Sequence, residues 1–131
     1  MADTDSNIHE NPYLRNIESA PYELGHLLQQ LPENFSAFSG QTPTADMQLI
    51  AAAAAKHAEN ANVAVMCGLD AIGKMLFIAS QSKDWQINST QMANIGCLIS
   101  HLAIEAQFLK DTQGDLEFTL QELAKKSVAT A

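Results

Sequence analysis

Few residues in this sequence could carry chemistry, and the first candidates are Glu23 and His26. Their Glu-x-x-His spacing is the one used by the ligands of di-iron helical bundles. Such a site needs a second pair of this kind and two further carboxylates that project inward from four helices. The sequence offers only one such pair. We therefore expect a solvated Glu23 beside a partly buried His26, and predict no metal and no cofactor.

A second polar group lies in the middle of the chain, where His101 and Glu105 are four residues apart. On a helix this spacing places both side chains on one face. Asp70 is expected to approach His101 from a neighbouring helix. The group could be a pH switch, a pocket or a contact that fixes helix register, and we prefer the last. Asp70 and Lys74 are expected to form an exposed ion pair.

Nucleophilic chemistry has no recognisable constellation. Cys67 and Cys97 are the only cysteines, and neither belongs to a Cys-x-x-Cys motif. Cysteines inside helical patterns are usually reduced and buried, which is our expectation for both. The sequence has no Gly-x-Ser-x-Gly elbow and no glycine-rich phosphate loop. We therefore expect a protein that is not an enzyme.

Charge and hydropathy exclude two further classes of partner. The formal net charge is -8, with only seven Lys and Arg residues, so direct binding to nucleic acid or to an anionic membrane surface is not expected. The longest apolar stretch, residues 63–80, is interrupted by Asp70 and Lys74, and no transmembrane span is predicted. No signal-peptide pattern is visible, so we expect a cytoplasmic protein.

The apolar residues repeat with helical spacing, which predicts an all-α fold. Thr44 is a good N-cap, and Asn88 with Gln91 resembles a capping box. Residues 1–19 are expected to form a flexible acidic tail, from which Tyr13 and Leu14 could dock. A single helical domain then covers residues 20–131. Its predicted helices span about 20–31, 45–80, 89–110 and 115–126.

The two long helices are joined by a short connection, which makes them antiparallel neighbours in a helical hairpin. One heptad series runs along the first of them. It consists of Ala51, Ala55, Ala58, Asn62, Val65, Leu69, Ile72, Leu76 and Ala79.

Each long helix also presents one face of large and one face of small apolar residues. We expect the small faces to meet inside the hairpin, because small residues allow close approach. They comprise Ala61, Ala64, Gly68 and Ala71 on one helix and Ala93, Gly96, Ser100 and Ala103 on the other. The large faces then need a cover, and a second copy would complete a four-helix bundle. The predicted dimer interface is Val65, Leu69, Ile72, Leu76, Ile95, Ile99 and Leu102.

Trp85, the only tryptophan, lies in the connection between the long helices. It is expected to cap the end of the core, or else to contact a partner. The leading functional hypothesis is a homodimeric protein-interaction module. It would act as an adaptor, regulator or inhibitor of a larger complex, for example one encoded by a mobile genetic element. The alternative is a bundle that binds a small molecule near Met66, Met75, Phe77 and Met92. A metal-carboxylate enzyme is the remote alternative.

Overall fold

A computed structural model describes residues 11–14 and 22–130, without the side chain of Tyr22. A 3-10 helix, Pro12–Leu14, precedes three α-helices. These are α1 (Tyr22–Gln30), α2 (Ala45–Gln81) and α3 (Ser89–Ala129). The described part of the chain contains no strand, so the prediction of an all-α fold is confirmed. Most of the predicted tail, and residues 20–21 at the start of the first predicted helix, lie outside the described residues.

Helix α2 begins and ends almost where the sequence predicted. The Thr44 hydroxyl caps its first turn by accepting a hydrogen bond from the backbone N–H of Met47 at 3.1 Å. Asp46 lies in this first turn, where a negative charge is favoured by the helix dipole. At the other end, the Ser82 N–H donates to the carbonyl oxygen of Ala79, and the helix stops at Gln81.

Helix α3 is one continuous helix, and the predicted break near residues 111–114 is wrong. Asn88 and Gln91 form the predicted capping box at its start. Gly114 in a helix interior costs about 1 kcal/mol. The apolar side chains on either side, Leu109 and Leu116, are both buried. Their burial contributes more than the glycine costs, about 1.5–3 kcal/mol for each side chain, so α3 continues to Ala129.

The two long helices pack antiparallel and form the predicted hairpin. Every member of the predicted heptad series on α2, from Ala51 to Ala79, is buried or half-buried. Helix α3 presents the matching series at spacings of three and four. Its members are Ile95, Ile99, Leu102, Ala106, Leu109, Gln113, Leu116, Leu120 and Leu123.

The assignment of faces within the hairpin is the reverse of the prediction. The large residues face the opposite helix, and all seven members of the predicted dimer interface are half-buried there. The small faces point to solvent, and only Ala61 among their residues is buried. A Cβ added at Gly68 or Gly96 would meet no atom within 4 Å. The large side chains remove more apolar area from water than the small ones would. This gain in free energy outweighs what the closer approach of the two helices would contribute.

The remaining elements cover only one end of the hairpin. Leu24 and Leu27 of α1 pack on the alanine-rich first half of α2. The core there contains Leu24, Leu27, Ile50, Ala51, Ala53, Ala54, Ala55, Ala58, Ala61, Leu109 and Leu116. We call this end, residues 11–14, 22–62 and 109–130, the body. We call residues 63–108 the distal hairpin.

Both phenylalanines of the loop that precedes α2 anchor it to the body. Phe35 packs against the core. Phe38 is largely exposed, but its ring lies 6.4 Å from that of Phe118 on α3. The Lys126 ammonium sits 4.9 Å above the Phe38 ring and donates to the carbonyl oxygen of Ala37. The loop is therefore fixed to the C-terminal part of α3.

Candidate interaction surface

Within residues 11–14 and 22–130, no other element forms a covering layer over the distal hairpin. Between residues 63 and 108, only Ala79 is buried. Large apolar side chains point outward from both helices, with Phe77, Ile78 and Ile104 each 67–69% exposed. The others are Val63, Met66, Met75, Trp85, Met92, Leu98 and Phe108. Because a helix that is apolar on all sides is normally buried, this segment is the candidate interaction surface.

The accessible area of the chain supports the same reading. It is 9585 Å², whereas a compact monomer of 14.2 kDa exposes about 6,800 Å². The difference is about 2,800 Å². A standard protein interface removes about 800 Å² from each partner. The chain therefore exposes more surface than such an interface would need.

Helices α2 and α3 are both long and apolar enough to cross a membrane, judged by length and composition only. The core helices of soluble proteins satisfy the same criterion, but they are mostly buried. Here only 6% of each apolar stretch is buried inside the chain. The expectation that no segment could span a membrane is therefore not supported by the helix lengths, although a membrane is only one of the possible covers.

Two charged residues of the distal hairpin, Asp70 and Lys74, lie about halfway along its part of α2. Lys74 Nζ lies 2.6 Å from Oδ2 of Asp70, and the two side chains are 72% and 66% exposed, so the predicted exposed ion pair is confirmed. His101 is exposed and Glu105 is half-buried on α3. Because the Asp70 carboxylate is engaged by Lys74, the geometry gives no support to the expected contact between Asp70 and His101.

A shallow depression lies beside the ion pair on the outer side of α2. Asp70, Gly73, Lys74, Phe77 and Ile78 line it. Its floor is open because Gly73 carries no side chain, and a Cβ added there would meet no atom within 4 Å. The surface thus combines a charged pair, exposed apolar side chains and a groove.

Trp85 lies in the connection between the helices and is 66% exposed. The expectation that it caps the core is therefore wrong, because a residue that caps a core is mostly buried. It borders a second depression together with Ile87, Asn94 and Ile95. Its exposure is compatible with a contact to a partner, the second interpretation of the sequence.

The residues proposed for a ligand pocket do not enclose one. Met66, Met75, Phe77 and Met92 are all more than half exposed on the outside of the hairpin. A pocket for a small molecule normally buries most of its ligand. The three methionines and Phe77 instead form part of the apolar outer surface of the hairpin.

The remaining candidates for chemistry are dispersed. On α1, Glu23 is half-buried and His26 is exposed, which is the reverse of the expected burial. Cys67 and Cys97 are free, and both are exposed rather than buried as expected. Within residues 11–14 and 22–130, no three His, Cys, Asp or Glu side chains lie close enough to hold a metal ion.

His57 is a residue that the sequence reasoning missed. Its side chain is fully buried in the body, and neither ring nitrogen has a hydrogen-bond partner among the residues that the structure describes. The carbonyl oxygen of the Asn62 side chain, about one and a half turns further along α2, is also buried and has no partner in the same part of the chain. Asn62 belongs to the heptad series, but His57 lies beside it. Its position just after the alanine run 51–55, with Ala58 next to it, was the available signal that it would be enclosed.

Comparison with known proteins found no relative of the chain. No family model, no curated protein and no solved structure matches the chain.

Proposed function

We propose that this protein is a non-enzymatic protein-interaction module that works as a homodimer through its distal hairpin. The proposal rests on the apolar side chains that point outward from residues 63–108. In this segment only Ala79 is buried. Soluble monomers rarely expose apolar patches larger than a few hundred Å². Larger exposed patches normally mark a site where another molecule binds.

A second copy of the chain is the simplest cover. Burial of apolar surface contributes about 25 cal/mol for each Å², so about 800 Å² from each of two partners contributes tens of kcal/mol before association costs. Those costs are about 4–15 kcal/mol. Twofold pairing is the commonest closed arrangement because one patch meets its own copy.

The seven residues first predicted for the interface face the opposite helix within each hairpin. The dimer contact proposed here therefore uses the outer surfaces. Dimerisation through one outer surface leaves another free, for example that of Ile104 and Phe108 on α3. A free apolar surface suits an adaptor, regulator or inhibitor that binds a larger protein complex. The net charge of -8 disfavours nucleic acid as the direct partner.

Insertion into a membrane is the second candidate, because both long helices have sufficient length and apolarity and are scarcely buried. The positions of the charges make it the less favourable one. Asp70 and Lys74 lie near the middle of the apolar stretch of α2 and point outward. A charged side chain at the centre of a bilayer costs about 2.5–3.5 kcal/mol on insertion scales.

Sedimentation velocity at micromolar concentration tests the proposal. We expect the wild type to sediment as a dimer and the double variant Phe77→Ser/Ile78→Ser to sediment as a monomer. Val128→Ser is the matched control, because Val128 is 77% exposed but lies in the body. It should leave the dimer unchanged. A wild type that remains monomeric would contradict the proposal, and its flotation with lipid vesicles would favour membrane insertion.

A further inference from the structure

We propose that the outer face of α2 is self-complementary and pairs antiparallel with the same face of a second copy. In this pairing Asp70 of each chain faces Lys74 of the other. The inference rests on the proposed homodimer and specifies which surface forms it. At the centre of this surface lie the exposed ion pair of Asp70 and Lys74 and the shallow depression beside it.

The first argument is the order of residues along one ridge of the helix. Met66, Asp70, Lys74 and Ile78 are each four residues apart, so they form one continuous row on the surface of α2. All four are exposed. The row reads apolar, acidic, basic, apolar, and its midpoint falls between Asp70 and Lys74. Rotation by 180° about that midpoint exchanges acid with base and one apolar end with the other.

The second argument is the shape beside this ridge. The next row on the same side of α2 contains Gly73 and Phe77, and the two rows line the shallow depression, to which Gly73 contributes no side chain. Helices commonly pack by placing rows of residues four apart into the grooves between such rows on a partner. The ridge of one copy can therefore occupy the groove of the other. This arrangement uses the same residues on both sides, as a twofold contact requires.

The third argument concerns the direction of pairing and the identity of the occupant. A parallel pair would set Asp70 against Asp70 and Lys74 against Lys74, which like-charge repulsion opposes. The antiparallel pair sets opposite charges together twice. Lipid offers no counter-charge in its hydrocarbon region, where the exposed pair would have to be buried. Charge complementarity thus favours a second copy over a membrane.

Charge reversal tests the pairing directly. Asp70→Lys places two lysines on each ridge, and Lys74→Asp places two aspartates there. We expect each single variant to self-associate at least ~10-fold more weakly than the wild type. We expect an equimolar mixture of the two to form a heterodimer. The double variant Asp70→Lys/Lys74→Asp should recover the homodimer, since it only reverses the order of the charges.

Controls keep this test separate from folding and from the proposed function. Both residues are mostly exposed, so circular dichroism should show unchanged helix content and little change in melting temperature. If the wild type is a dimer and both single variants dimerise as well as it does, the pairing is overturned while the homodimer stands. If the wild type is a monomer, both proposals fail. Monomeric variants that do not associate on mixing would also overturn the antiparallel pairing.

Cross-linking supplies a second measurement on a different residue. In a Cys67→Ser/Cys97→Ser background, Gly73→Cys should form a disulfide-linked dimer under mild oxidation. In the proposed pairing the two copies of residue 73 are offset by two residues, or about 3 Å along the axis, which a disulfide can span. Ala103→Cys, on the exposed small face of α3, is the matched control and should remain monomeric. Equal cross-linking at both positions would contradict the proposed surface.

Discussion

The hydroxyl of Tyr13 donates a hydrogen bond to Oδ1 of Asp46 at 2.8 Å. This contact joins the 3-10 helix to the first turn of α2. Beside it, the side-chain amide of Asn11 donates to the carbonyl oxygen of Leu49 at 2.9 Å. Tyr13 and Leu14 also pack against the core, as the sequence suggested. Part of the predicted tail, residues 11–14, is therefore a component of the body.

The contact between Tyr13 and Asp46 predicts a stability change at alkaline pH. The hydrogen bond to Asp46, then burial and the carboxylate charge, raise the pKa of Tyr13 above its ordinary value of 10.0. The folded state therefore favours the neutral phenol. This contribution is fully present below the unfolded pKa and is lost as pH rises through the folded pKa. Wild type should lose more stability than Tyr13→Phe as pH rises above about 10 in urea titrations. Equal losses would contradict the prediction.

The buried imidazole of His57 predicts that its replacement stabilises the protein. A buried polar group without a partner costs about 1–3 kcal/mol, and leucine has a similar volume without polar atoms. We expect His57→Leu to raise the free energy of unfolding by about 1–2 kcal/mol in chemical denaturation. His26→Leu, at an exposed position, should change it by less than about 0.5 kcal/mol. A marked loss of stability in His57→Leu would show that a ligand or water satisfies the imidazole.

The outward position of the small faces predicts that their glycines are replaceable. Added Cβ atoms at Gly68 and Gly96 would meet nothing within 4 Å. Alanine is favoured over glycine in a helix interior by about 0.5–1 kcal/mol. Gly68→Ala and Gly96→Ala should therefore each raise the melting temperature. If both lower it while the dimer dissociates, the small faces belong to the interface and the proposed surface on α2 is wrong.

The sequence predicted the hairpin, the helix caps and the heptad series on α2, because these depend on local spacing and capping chemistry. It did not predict which faces would meet. Small residues permit a closer approach, whereas Leu69, Ile72 and their neighbours remove more apolar area from water, and no local rule ranks these two effects. The continuation of α3 through Gly114 has a similar cause. Contacts of Leu109 and Leu116 with the body overrode a local break signal.

The candidate surface was predicted only in outline. Apolar faces on both helices indicated that a partner was needed, but the half-buried residues were expected to form the interface. The outer ridge of Met66, Asp70, Lys74 and Ile78 was read only as an exposed ion pair. Its symmetry becomes meaningful once the opposite face of α2 is known to pack against α3. His57 was missed because helical spacing identifies the seam and not the flank that α1 covers.

The mass of the wild-type chain in solution tests the central claim most directly. Light scattering across a series of micromolar concentrations should give about twice the 14.2 kDa of one chain. The outer surface of α3, with Ile104 and Phe108, stays free in this dimer, so the same samples should still bind a dye that reports exposed apolar surface. A mass of one chain at every concentration, in a protein that stays soluble and does not bind the dye, would contradict the account.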